Sequence, residues 1–181
     1  MRSRRVRATA ALLVATLTAG LPLESRAGES VERAGDVFQF LLPLGSVGYT
    51  LARGDAEGTR QAAHSIGATL ATTWLLKVTI DARRPNGGNH SFPSGHTAAA
   101  MSGAAFLTRR YGLRIGLPAI GLASFVAYSR VEADAHHPRD VVAGAALSFL
   151  SAMLLVEPYD GLAITPQVEP GYLGLGVRGT F

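Results

Sequence analysis

The sequence predicts an all-α protein: a helical bundle of about five main helices after an N-terminal signal, closed by a short irregular or β-like tail. Three observations carry this reading. The chain of 181 residues falls into apolar blocks separated by short charged or Gly/Pro-rich segments. The blocks, rich in Ala, Leu and Gly, lack the strict alternation of half-buried strands. The last stretch is broken by prolines and then alternates.

The N-terminus comes first. Met1 to Arg7 holds four arginines and no acid, an uncharged run from Ala8 to Leu23 follows, and Ser25-Arg26-Ala27 puts small residues at alternate positions. That is the layout of a secretory signal over residues 1–27, with an uncleaved anchor as the alternative. Without these residues the chain keeps 12 basic and 12 acidic side chains. The high overall charge therefore belongs to the leader and is no argument for nucleic acid. Cysteine is absent, which excludes disulfides, zinc–thiolate sites and cysteine catalysis.

The five blocks are Val37–Ala52, Ala62–Leu76, Thr97–Thr108, Ile115–Ser129 and Val141–Val156. Pro43 and Pro118 are expected to kink or break theirs. Each block is shorter than the ~20 apolar residues that cross a bilayer comfortably. Yet the blocks are apolar nearly all round, and Gly144, Ser148 and Ala152 recur at the four-residue spacing of packed membrane helices. If the chain crosses at every block, Arg53, Arg60, Arg109, Arg110 and Arg114 fall on one side, in keeping with the positive-inside tendency. The balance favours a membrane protein. The helical-bundle domain is expected over 28–157 and the tail over 158–181. In the tail Leu173, Leu175 and Val177 alternate with Gly174, Gly176 and Arg178, which suits a strand.

Three helix boundaries carry the chemistry. Lys77, the only lysine in the chain, closes a block and precedes Arg84-Pro85. A compact ammonium and a planar guanidinium both suit phosphate oxygens. Pro93-Ser94-Gly95-His96 opens the next helix. Ser94 can cap it, the free amides with the dipole behind them attract an anion, and His96 in the first turn can move a proton near neutral pH. Arg130 ends a further block. His136 follows in the entry loop and Asp140 in the first turn after Pro138. A carboxylate on one ring nitrogen would fix the tautomer and leave the other free to attack. Each segment alone could be a capped helix end or a solvated loop. Together they place an anion cage, an acid and an oriented nucleophile on the same side of the bundle. His137 reads as rim or packing, His64 as a packed or helix-facing histidine, and Asn89 and His90 as the mouth of the site.

These three segments, Lys77 to Arg84-Pro85, Pro93-Ser94-Gly95-His96, and Ser129-Arg130 through His136 to Asp140, resemble the three-part signature of the type 2 phosphatidic acid phosphatase superfamily in residue type, spacing and order. The resemblance spans residues 77–140. It implies a metal-independent phosphatase without a cofactor. His136 would attack phosphorus and become a phosphohistidine, His96 would protonate the leaving oxygen, and Asp140 would orient His136. Lys77, Arg84, Ser94, Gly95 and Arg130 would hold the phosphate oxygens. The expected substrate is a phosphorylated lipid or a small molecule, with lipid phosphates leading, in an inner membrane with the site facing the periplasm. The alternatives are a soluble periplasmic acid phosphatase of broad specificity, a vanadium-dependent haloperoxidase using the same cage, and a non-catalytic membrane scaffold. The sequence leaves the oligomeric state open.

Overall fold

The computed structural model describes residues 23–159, 163–169 and 172–178. It contains five helices, α1 (Leu23–Ala52), α2 (Ala56–Thr79), α3 (Gly95–Tyr111), α4 (Leu113–Glu132) and α5 (Pro138–Leu155), then strands β1 (Ala163–Glu169) and β2 (Tyr172–Arg178). Each apolar block corresponds to one helix. The helices begin before their blocks because capping residues precede the apolar runs. Asp55 accepts the Gly58 amide at 2.8 Å and so caps α2. Pro138 takes the first position of α5, where its missing N–H costs nothing. The early turns of α1 are polar and carry an i,i+4 ion pair between Glu29 and Arg33.

The expected leader lies mostly outside the described residues, and residues 23–27 form the start of α1. Pro43 and Pro118 sit inside α1 and α4 without breaking either helix. Packing on the central helix carries the chain through both positions.

That central helix is α3, with α1, α2, α4 and α5 packed around it. Its residues are mostly Ala, Gly and Ser, buried nearly all round from Thr97 to Leu107, so four neighbours can approach closely. Phe106, Ala100 and Ala104 of α3 meet Leu42, Ile66, Ala123 and Val126 in the core. The contact with α5 is the tightest that matters for the site. A side chain at Gly144 would overlap the Ser94 carbonyl, so only glycine lets the start of α3 and the body of α5 touch.

Alternating helix directions bring the end of α2, the start of α3, the end of α4 and the start of α5 to one end of the bundle. The opposite end is locked by a buried ion pair. Arg110 donates through Nε and Nη2 to both oxygens of Asp55, at 2.9 and 2.7 Å, and the Tyr111 hydroxyl adds a third donor at 2.6 Å. Arg110, one of the arginines of the positive-inside count, is therefore mainly structural. The tail forms an antiparallel hairpin, pairing Ala163 with Arg178 and Glu169 with Tyr172. The expected alternating strand is β2. Its partner β1 carries Pro166, which a two-stranded ribbon of edges tolerates.

The hydrogen bonds from Arg110, with those from Tyr111 and Gly58, outweigh burial and hold the Asp55 carboxyl at about 2, below its ordinary 3.8. A depressed carboxylate stabilises the fold above its unfolded value and loses that contribution as pH falls through its folded one. Asp55→Asn should cost roughly 3–5 kcal/mol, because it leaves the buried Arg110 charge without its counter-charge. Thermal unfolding should show a clear loss near neutral pH. The gap to the unmutated chain should close as pH falls from about 4 toward 2.

Candidate active site

The site is built where loop 80–94 and loop 133–137 meet the start of α3 and α5. Backbone bonds hold the segments in register. The Ser94 amide donates to the Asp140 carbonyl at 2.9 Å, and the Asn86 amide donates to the Asp134 carbonyl at 3.1 Å. Two residues pay a local strain for this geometry: His90 and Asp134 have φ of 54° and 50°, in the left-handed region that suits few side chains. His90 aims its carbonyl at Lys77 Nζ, 2.8 Å away, and its ring Nδ1–H donates to the Lys77 carbonyl at 3.1 Å. Arg84 Nε donates to the Asn89 carbonyl at 3.1 Å. Asn89 and His90 thus position the cage cations through backbone carbonyls.

The eight residues singled out from the sequence gather here. Lys77 and Arg84 are half-buried, while Ser94, Arg130, His136 and Asp140 are buried. Lys77 Cε lies 3.9 Å from where a side chain on Gly95 would stand, which puts the ammonium beside the first turn of α3. Ser94 caps that turn, accepting the Thr97 hydroxyl at 3.0 Å and its amide at 3.4 Å. Arg130 comes in from α4 and His96 from α3. His137 begins α5: its amide donates to Asp140 Oδ2 at 3.0 Å, and its Nε2–H donates to the Arg83 carbonyl at 3.1 Å. It ties loop to helix, as packing would. His64 is exposed on α2 at the other end, rather than packed.

One expected contact differs in detail. His136 Nδ1 is 3.6 Å from Asp140 Oδ2, beyond a normal hydrogen bond. Ser91 fills the role between them. Its hydroxyl donates to Asp140 Oδ2 at 2.5 Å and lies 3.5 Å from His136 Nδ1. A hydroxyl has one proton, and Ser91 directs it to the Asp140 carboxylate, so toward His136 the Ser91 oxygen can only accept. Nδ1 then carries hydrogen and Nε2 keeps its lone pair. The sequence offered no spacing rule for Ser91, three residues ahead of Ser94. It also missed Asp36 on α1, whose Oδ1 lies 2.9 Å from Arg130 Nη1 and 3.2 Å from His96 Nε2. The signal was present: Asp36 is the acid immediately before the first apolar block.

Electrostatics match the lone-pair assignment. Burial, then the Arg84 and Lys77 cations, push the His136 imidazole down to about 4, against the smaller pull of Asp140. The ring is therefore neutral near physiological pH, as a nucleophile must be. Among the described residues no group of three or more His, Asp or Glu side chains gathers to hold a metal ion.

A bundle that ends in two cationic side chains, an arginine fork, a capped helix N-terminus and a neutral, oriented histidine defines an enzyme of phosphoryl transfer. Residues 58–160 match the PAP2 superfamily, and the chain belongs to it. Over 132 residues it is 32% identical to the lipid A 1-phosphatase of Helicobacter pylori, covering 66% of this chain and 68% of that one. It is 31% identical to the lipid A 4'-phosphatase of the same species, covering 71% of each. The crystal structure of Aquifex aeolicus LpxE superposes with a TM-score of 0.61 over 77% of this chain and 88% of that chain, at 23% identity, and shares its fold. The chain is a phosphatase.

The depressed imidazole gives a direct test. In a histidine NMR titration of the free enzyme, one ring absent from His136→Ala should titrate near pH 4. A midpoint at or above 6.5 would contradict the neutral-nucleophile assignment.

Proposed function

We propose that this phosphatase hydrolyses a lipid phosphate or diphosphate through a phosphohistidine on His136, from the periplasmic face of a membrane. Lys77, Arg84, Arg130, the Ser94 hydroxyl and the amides at Gly95 and His96 take the equatorial oxygens. Phosphoryl transfer asks the protein mainly to position groups and neutralise that charge. His136 Nε2 attacks phosphorus in line with the leaving oxygen, which takes a proton from His96. Water then attacks the phosphohistidine with His96 as base, and inorganic phosphate leaves. Asp140, through Ser91, keeps the attacking tautomer.

The observation that carries the lipid reading is the bundle's lateral surface. Val37, Phe40, Leu44, Leu117, Val142 and Leu154 stand exposed on α1, α4 and α5, an apolar surface of the kind that meets a membrane or a partner. Among the described residues α5 is the helix long and apolar enough to cross a membrane, at mean hydropathy 1.3. Its 18 residues span about 27 Å, close to a bilayer core of roughly 30 Å. Trp74 and Tyr128 stand exposed within one turn of Lys77 and Arg130, where an aromatic belt would meet the headgroups. The cage would then lie at the interface, level with the phosphate of a lipid whose chains stay in the bilayer. The export-type leader and the arginines at the far end support a periplasmic site. Lipid A is the favoured class because both curated relatives act on it by name.

The purified enzyme in detergent should release phosphate from lipid A, phosphatidate or an isoprenyl diphosphate with kcat/KM at least about tenfold above that for a soluble aryl phosphate. Turnover of the soluble ester alone, with the protein extracted by carbonate, would favour the soluble acid-phosphatase reading instead.

A further inference from the structure

The first described turns of α1 lie outside the matched residues 58–160, yet they reach the reacting groups. Gly35 makes that approach possible. A side chain there would overlap Ser129 Oγ and crowd Arg130 Nη2, so a larger residue would displace the very groups that α1 meets at the end of α4. The next residue is Asp36. One of its oxygens, Oδ1, stands 2.9 Å from Arg130 Nη1 and 3.2 Å from His96 Nε2.

We propose that Asp36 is a positioning residue of this active site, holding the His96 ring and the Arg130 fork with one carboxylate so that both face the reacting phosphate. The inference rests on the reading of His96 as the acid.

Donor accounting supports it. Arg130 donates Nε to Ser129 Oγ at 3.1 Å, Nη1 to Asp36 Oδ1 at 2.9 Å and Nη2 to the Glu32 carbonyl at 2.7 Å. A guanidinium has five N–H groups, so one remains on each terminal nitrogen. The three bonds fix the plane of the fork. At His96 the carboxylate can only accept, so Nε2 carries hydrogen and Nδ1 is the atom that serves the leaving group. As the P–O bond breaks, the Nδ1 proton passes to the ester oxygen. His96 is left neutral with its Nε2–H still on Asp36. Burial, then the Arg130 charge, push the His96 ring below its ordinary 6.5, and the Asp36 contact opposes that shift in favour of the charged ring. The other charged or titratable groups acting on His96 are Arg130 from α4, Arg84 from loop 80–94, and His136. Asp36 is the carboxylate among them. The site thus has two histidine–carboxylate pairs: His136 with Asp140 through Ser91, and His96 with Asp36 directly.

The test uses the full chain in detergent and two soluble substrates, an aryl phosphate with a good leaving group and a short alkyl phosphate with a poor one. Asp36→Asn keeps shape and removes charge. It should lower kcat on the alkyl ester by about 10–100-fold, within the range of a general acid's contribution, and on the aryl ester only a few-fold. The basic limb of the kcat profile on the alkyl ester should move to lower pH, and Asp36→Glu should recover part of both effects. In a His96→Ala background the leaving-group-dependent loss from Asp36→Asn should vanish, since the group it acts through is gone. Equal losses on both esters, an unshifted limb, or a gain in activity would overturn the proposal. The gain would mean that Asp36 occupies the phosphate site and must be displaced. A His96→Ala enzyme that loses the two esters equally would remove the acid reading itself. Leaving-group dependence in His96→Ala but not in Asp36→Asn would sink Asp36 alone.

Discussion

The geometry of the active end depends on Asp140. Its backbone carbonyl takes the Ser94 amide, which fixes the start of α3 against the start of α5. Its carboxylate takes the His137 amide and so caps α5 from within the first turn. The same oxygen takes the Ser91 hydroxyl and draws loop 80–94 onto the helix ends. One buried acid therefore ties together the three segments that carry the cage. Because the Ser94 amide is held by the Asp140 backbone carbonyl, substituting the side chain would remove only part of the tie. The effect on His136 would be lost entirely.

A second constraint follows from charge. Lys77, Arg84 and Arg130 gather at one end of the bundle, Lys77 close enough to Arg84 to feel its charge, and their repulsion must be met before a phosphate arrives. Carbonyls of His90, Asn89 and Glu32 take one donor from each, and Asp36 stands against Arg130. Burial first, and then the Arg84 and Lys77 charges, keep His136 neutral. A group of cations that would bind a phosphate tightly also deprotonates the nucleophile that attacks it. Two requirements of phosphoryl transfer are thus satisfied by one arrangement.

The far end of the bundle is stabilised separately by Asp55, Arg110 and Tyr111. Between the ends, α3 is narrow because it is made of small residues. That division explains what was legible in the sequence. The helices were legible because apolar blocks of helical length need no tertiary information. The eight site residues were legible because all but Arg84 sit at a helix boundary, where spacing along the chain constrains position in space, and Arg84 follows Lys77 at a short fixed distance. Ser91 was not, because its role depends on a loop folding back over His136 and Asp140. Asp36 was not, because α1 is distant in sequence and meets Arg130 only through the packing that Gly35 permits. The sequence also made His136 and Asp140 direct partners, whereas the loop interposes a hydroxyl. The continuity of α1 through Pro43 and α4 through Pro118 came from packing, which overrides a local preference.

The account stands on His136 as the group that becomes phosphorylated. Enzyme quenched in alkali during turnover and digested for peptide mass spectrometry tests this most directly. The mass of one phosphoryl group should appear on the imidazole of the peptide carrying His136, and should be absent from His136→Ala. Phosphate found on another residue, or no phosphopeptide under conditions where product forms in a burst, would contradict it.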